Sequence, residues 1–368
     1  MGKSFQILTI SGIPLKLHWS FPLLFLYIFY QVISVNDGWT VEPEDWNTML
    51  IMSLFVTSLF ICVVLHEFGH ALTARRFGIT TKDITLYPIG GIASLEKMPD
   101  KPGQELLVAL AGPAVNIVIA AILWFYLNAS GQLPDVSAMT ASHNMLEIPF
   151  FWGLFAANVV LAVFNLIPAF PMDGGRALRA ILAFSLNRNK ATQIAAGVGQ
   201  FLAIMFVFLG FFYNFWLVFI GLFVYLGAGF EASQEKAQSM LSGLKVKDAL
   251  IKRFTVLKRT DNLGLAVDSL LGSQETDFLI IEQDRPIGVL SKNEIIKGLS
   301  EQGSQTPVAE FMNRDFFVVK AEMKLQDFFR DVLAKGQNVA VVMDGNSVLG
   351  LIDRENVEER ILIREALG

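Results

Sequence analysis

The sequence predicts a polytopic α-helical membrane protein, of about six transmembrane helices with a small β insertion, followed by a soluble α+β repeat. Three observations carry that fold class. The 368-residue chain is 53% hydrophobic, more apolar than an ordinary soluble domain. Its charge is uneven: residues 1–232 hold 11 of the 29 Lys and Arg and 13 of the 34 Asp and Glu. The charged remainder repeats itself at an offset of 62, which places Gly288 on Gly350 without an insertion.

The apolar stretches lie at about 17–35, 49–74, 105–128, 150–168, 194–212 and 214–230. Each approaches the roughly 20 residues that a helix needs to cross a bilayer. The first begins near Trp19 with no cleavable signal pattern before it, so it reads as a retained span. The fourth is interrupted by Pro168 and Pro171, and the last two are separated only around Tyr213 and Asn214. Four or five spans with a re-entrant segment is the alternative.

Charge sets the orientation. The connections at 34–48, 129–149 and 213–214 contain no Lys or Arg, and the first is acidic through Asp37, Glu42, Glu44 and Asp45. The intervening connections carry Arg75, Arg76, Lys82, Lys97 and Lys101, then Arg176, Arg179, Arg188 and Lys190. The positive-inside rule puts these in the cytosol, together with both termini and the C-terminal repeat. The net charge of -5 gives no reason to expect nucleic acid. The single cysteine, Cys62, excludes an internal disulfide and a multi-thiolate metal site.

Within the second apolar stretch, "VVLHEFGHAL" at 63–72 places His66, Glu67 and His70 together. Histidines four apart share one helix face. The spacing gives a zinc ion two imidazoles and leaves Glu67 to act on its water. A carboxylate in a membrane span is costly unless it is used. His66 lies about 17 residues into a descending span, or about 25 Å, which is toward the cytosolic end. A catalytic zinc takes three protein ligands and keeps one position open. His18 begins the first span and suits an interface role, and His143 belongs to an external connection. Asp173, in "NLIPAFPMDGG", follows a span of the same direction and reaches similar depth, so it is the preferred third ligand. The alternative is a turn aspartate before Gly174 and Gly175, and the depth match decides against it. Gly112 and Ala114 let a neighbouring helix approach, and Asn116 is a polar group at matching depth. "FGITTKDITLYPIGGIASLE" at 77–96 alternates like short strands with a turn or bulge at Gly90-Gly91. A strand edge beside a metal site could pair with an extended peptide.

The stretches "HEFGH" at 66–70, "GPAVN" at 112–116 and "NLIPAFPMDGG" at 165–175 resemble the site-2-type intramembrane zinc metalloproteases, peptidase family M50. The resemblance is to the branch with C-terminal tandem CBS domains. It implies one zinc ion per chain on His66, His70 and Asp173, Glu67 as the catalytic glutamate, and supporting roles for Asn116 and Asn165. It implies a substrate that is a transmembrane or membrane-associated protein, an upstream site-1-type protease, regulated intramembrane proteolysis, and a multi-pass place in the cell's inner membrane. The inserted PDZ domain of some relatives has no counterpart in this sequence.

The domain organisation expected is 1–232 for the transmembrane metalloprotease, 233–244 for a linker, 245–300 for the first CBS domain and 301–368 for the second. Each unit has helix, strand, strand, helix character. Resemblance to CBS pairs implies homodimerisation and ATP or AMP in the cleft. Ser291 and Glu294 nearly match the usual nucleotide signature, whereas Asp353 and Asn356 depart from it. A dimerisation module without a ligand is the other reading. A transporter or channel gated by the CBS pair is the alternative function, but it calls for polar groups through the middle of several spans.

Overall fold

The computed structural model describes residues 4–34, 43–88, 90–133, 149–273, 275–283, 285–331, 339–345 and 347–366. Asp37, Glu42 and His143 lie outside the described residues. The chain divides into two compact units, Met1–Ser233 and Gln234–Gly368.

The first unit opens with a hairpin that the apolar stretches concealed. Strands β1 (Ser4–Ile10) and β2 (Ile13–His18) are joined by Ser11 and Gly12, both at positive φ (52° and 80°). Two such residues make the tight turn whose twist suits a hairpin. Helix α1 (Pro22–Ser34) follows, then α2 (Pro43–Arg76). Helix α2 ends in a Schellman motif: the Ile79 N–H bonds Ala74 O at 3.2 Å and the Gly78 N–H bonds Arg75 O at 3.0 Å, with Gly78 at φ 77°. Arg75 and Arg76 also suit the negative end of the helix dipole.

Strands β3 (Thr81–Tyr87) and β4 (Gly90–Leu95) form where the alternation predicted them. They complete one sheet of order β1-β2-β3-β4, with β2 and β3 parallel and β4 on an edge. Lys16 of β2 reaches Asp83 of β3 at 2.6 Å, and Ser94 of β4 donates to the same carboxylate at 2.9 Å. Burial acts to raise the Asp83 pKa, but Lys16 and the hydroxyls hold it below its ordinary value.

Helix α3 (Pro102–Ala129) starts on Pro102, where a missing N–H costs nothing. Helix α4 (Phe150–Asn165) stops before Pro168 and Pro171. Helices α5 (Asp173–Leu182), α6 (Arg188–Phe212) and α7 (Trp216–Leu241) follow. Among the described residues, four helices are long and apolar enough to cross a membrane: Asp45–Arg76 within α2, then α3, α6 and α7. The apolar helices α1 and α4 have 13 and 16 residues. At 1.5 Å per residue they reach about 20 and 24 Å, short of a hydrocarbon core of about 30 Å. The reason is local: Leu17 and His18 belong to β2, and the prolines end α4.

Arg179, counted above as a loop charge, is instead buried. It contacts Glu105 of α3 at 2.5 Å and Glu231 of α7 at 2.8 Å, and Arg188 also approaches Glu105 at 3.4 Å. Three helices are thereby tied at one level.

The second unit begins inside α7, so residues 233–241 of the expected linker are helical. It contains two three-stranded sheets. One has order β5-β6-β7, from β5 (Val256–Lys258), β6 (Asp277–Glu282) and β7 (Arg285–Ser291). Helices α8 (Leu263–Gly272) and α9 (Lys292–Gln302) accompany it. The other, of β8 (Phe317–Lys320), β9 (Val339–Asp344) and β10 (Ser347–Asp353), has order β10-β9-β8 and is flanked by α10 (Leu325–Asp331) and α11 (Arg354–Ala366).

The repeat is visible in the pairing. Isolated bridges join Ile251 to Leu351 and Asn313 to Val289; adding 62 to 251 gives 313, and subtracting 62 from 351 gives 289. Lys245–Lys324 and Pro307–Asn262 are related in the same way. The lead-in to each half thus pairs with the other half. Val246 and Ala249 are buried in the core of the second sheet, and Val308 in the core of the first. The two halves exchange their first turns rather than dividing cleanly at 300.

Candidate metal centre

The described residues include one group of His, Cys, Asp and Glu side chains placed to hold a metal ion: His66, His70 and Asp173, all buried. His66 Nε2 and His70 Nε2 lie 3.1 Å apart. Asp173 Oδ2 is 3.2 Å from the first and 3.1 Å from the second. Ligand atoms about 2.0–2.1 Å from a tetrahedral zinc would be separated by about 3.4 Å, so the triangle suits that ion. The geometry brings together the residues that sequence spacing selected from two distant segments.

Both histidines are held from behind. His66 Nδ1 meets Asn116 Oδ1 at 2.5 Å, and His70 Nδ1 meets Val108 O at 2.7 Å. Both partners belong to α3. Gly112 leaves the space in front: a Cβ there would fall 2.2 Å from His70 Nε2 and 2.7 Å from His66 Nε2. The small residue therefore serves the imidazoles as much as the helix packing. Asp173 opens α5, where its charge faces the positive end of a helix. A Cβ on Gly174 would fall 2.2 Å from Ile167 O, so this turn closes only around glycine.

Glu67 lies beside the triad and turns toward β4. Its Oε2 accepts the Ala93 N–H at 3.1 Å. Asn165 ends α4, and its amide donates to Leu161 O of the same helix at 3.0 Å. His18 lies apart from the triad in its own contacts, with Nδ1 2.6 Å from Ser20 Oγ and its ring stacked near Tyr87. In the sequence Asn158 is only one asparagine that interrupts an apolar run. It is fully buried and accepts from Asn116 Nδ2 at 2.9 Å.

In the second unit, Ser291 is the N-cap residue of α9, and Glu294 accepts its N–H at 2.7 Å. Asp353 accepts the Asn356 N–H at 2.7 Å in the equivalent corner. Burial raises the Asp277 pKa above its ordinary value, and the charges of Asp353 and Glu294 add to the rise.

Long apolar helices around a buried His-His-Asp triangle with an adjacent glutamate define a membrane metalloprotease. The family model for peptidase family M50 matches residues 54–209, and the CBS domain model matches 308–362. The chain is 31% identical over 366 residues to the zinc metalloprotease MJ0392 of Methanocaldococcus jannaschii, covering 99% of this chain and 98% of that one. It is 29% identical over 137 residues to stage IV sporulation protein FB of Bacillus subtilis, 37% of this chain and 43% of the relative. A solved structure of a site-2 protease from M. jannaschii is 37% identical, with a TM-score of 0.43, covering 62% of this chain and 95% of that one. The chain belongs to peptidase family M50 and is a zinc metalloprotease of the membrane with CBS-type sheets and helices at its C-terminal end.

Proposed function

We propose that the protein is an intramembrane zinc endopeptidase that cuts transmembrane or membrane-associated proteins in regulated intramembrane proteolysis. The observation that carries this reading is the buried triangle of His66, His70 and Asp173 with Glu67 beside it on a membrane-length helix. Those three side chains would hold one zinc ion. When bound, zinc polarises a carbonyl and lowers the pKa of water. Glu67 takes the proton from the attacking water and delivers it to the leaving amide nitrogen, so one peptide bond and one water become an acid and an amine. Asn116 keeps His66 oriented. Asn165 takes a supporting role at the end of α4, the helix that precedes the turn into Asp173.

Edge strand β4 favours an extended peptide as substrate, aligned along the sheet next to Glu67. The basic connections favour a cytosolic active-site end, an inner-membrane location, and cytosolic CBS domains. Prior trimming of the substrate by a site-1-type protease is consistent with this arrangement. The paired CBS halves serve homodimerisation and adenine-nucleotide sensing, with Ser291 and Glu294 on the sugar side.

A substrate trap tests the reading. Glu67→Gln should retain about one zinc per chain and lose cleavage, and crosslinking in membranes should then capture membrane proteins that the wild type cuts. Equal zinc content in wild type and the His66→Ala/His70→Ala variant would end it.

A further inference from the structure

We infer that Asn158 is a positioning residue for the metal centre: through Asn116 it fixes which nitrogen of His66 is left bare for the metal. The inference rests on the zinc reading of the His66, His70 and Asp173 triangle.

The polarity can be followed atom by atom. Asn158 Nδ2 donates to Leu154 O at 2.8 Å. A backbone carbonyl only accepts, so the nitrogen of Asn158 must face Leu154 and its oxygen must face away. That oxygen lies 2.9 Å from Asn116 Nδ2. The Asn116 amide is thereby turned with its oxygen toward His66, and Oδ1 lies 2.5 Å from His66 Nδ1. An amide oxygen only accepts, so Nδ1 carries the hydrogen. Nε2 is then the bare nitrogen, and it is the atom that lies in the triangle.

His70 reaches the same state in one step, because its Nδ1 meets Val108 O directly at 2.7 Å. His66 has no carbonyl in that role. Asn116 can present either end of its amide, and the reversed end would demand a bare Nδ1 and a hydrogen on Nε2. Asn158 removes that freedom. It is fully buried, as is Asn116, so water does not substitute for it. A plain interhelical bond between α3 and α4 would add stability only, whereas a relay of this kind acts on metal affinity.

The experiment is zinc affinity of the full-length protein in detergent, measured by chelator competition. Asn158→Leu removes the acceptor at similar volume and should weaken zinc binding by about 10–100-fold. Asn158→Asp, whose protonated carboxyl can donate to Leu154 O and accept from Asn116, should bind zinc close to wild type. On an Asn116→Asp background either carboxylate oxygen accepts from His66, so adding Asn158→Leu should cost no further affinity. Unchanged affinity in Asn158→Leu, or the full loss persisting on the Asn116→Asp background, would overturn the relay. A check that needs no variant is the imidazole nitrogen spectrum of zinc-loaded wild type, where His66 should show Nδ1–H and bind the metal through Nε2. Metal bound through Nδ1 would overturn the polarity. A wild type that binds no zinc would instead refute the metal reading itself.

Discussion

Glu67 Oε2 and the backbone N–H of Ala93 are hydrogen-bonded at 3.1 Å, which ties the glutamate of α2 to the edge strand β4. The approach is close throughout: a Cβ on Gly91 would fall 3.1 Å from Glu67 Cγ. An extended peptide arriving at β4 therefore meets an edge whose Ala93 amide already serves the glutamate. Strand pairing must keep that bond or exchange it, so the sheet and Glu67, the proposed general base, are coupled.

Ala93→Pro tests that coupling, because proline lacks the donor. Cleavage should fall by about 10–100-fold, the scale of a small misplacement of a reacting group. Zinc content should remain at the wild-type level. Ala93→Val, which keeps the N–H, should cleave far better than the proline variant. Unchanged cleavage in Ala93→Pro would show that Glu67 needs no support from β4.

Gly112→Ala probes the space in front of the imidazoles. The added carbon would sit 2.2 Å from His70 Nε2, inside any permitted contact. The rings must move, so zinc retention against a chelator should drop by about 10-fold or more. Asp173→Ala should also lower zinc occupancy. Full zinc occupancy in both variants would place the metal elsewhere.

The triangle itself was legible because two histidines stand four apart on one helix face and an aspartate follows a span of the same direction at matching depth. The strand pair β3–β4 was legible from alternation. The hairpin β1–β2 was legible in principle, since Ser11-Gly12 separates two alternating runs, but the apolar stretch beginning nearby drew its last residues into a span. Asn158 gave no signal, because a single asparagine in an apolar run resembles the other breaks in such runs. The Glu105–Arg179 pair joins residues 74 apart, and no periodicity links them. Nor does a 62-residue offset reveal that each half lends its first turn to the other; that emerges only from the bridges between Ile251 and Leu351 and between Val289 and Asn313.

The buried pair gives a stability prediction. Arg179 and Glu105 are each 1% exposed. Arg179→Met leaves the buried Glu105 carboxylate with Arg188 alone, at 3.4 Å, and takes a partner from Glu231, and breaking one side of such a pair costs about 3–5 kcal/mol. The thermal midpoint in detergent should fall accordingly. Removing both charges, as Arg179→Met with Glu105→Leu, should recover most of the loss. A double variant as unstable as the single would show that the pair holds α3 and α5 by more than charge balance.

Asp277 gives a pH prediction for the second unit. Its folded pKa is raised, by burial first and then by Asp353 and Glu294. The folded state therefore holds this proton more tightly than the unfolded state does. Stability from this group is present below the ordinary carboxylate pKa of about 3.9 and is lost as pH rises through the raised folded value. Asp277→Asn should raise the unfolding midpoint of residues 234–368 at pH 7 and flatten its rise on mild acidification. Identical pH profiles for wild type and variant would remove Asp277 as the cause.

The same acidic corner shapes which nucleotide would bind. Asp277, Glu294 and Asp353 are close enough to influence one charge, so polyphosphate brought near them would be repelled. Ribose hydroxyls can instead donate to a carboxylate. Glu294 already accepts the Ser291 N–H at 2.7 Å, and Asp353 caps Asn356 at 2.7 Å, so a sugar must share or displace those bonds. AMP, with one phosphate to direct away from the corner, should therefore bind the pair more tightly than ATP, at about one equivalent. Glu294→Gln should weaken AMP binding and narrow the gap between the two nucleotides. Calorimetry on residues 234–368 reads both, and cleavage by the full chain with and without AMP reads the coupling. Binding shifts the cleavage rate only if active and inactive forms differ in nucleotide affinity. ATP binding more tightly than AMP would reverse the electrostatic reasoning. No heat with either nucleotide, from a unit that is still dimeric, would leave the pair with assembly alone.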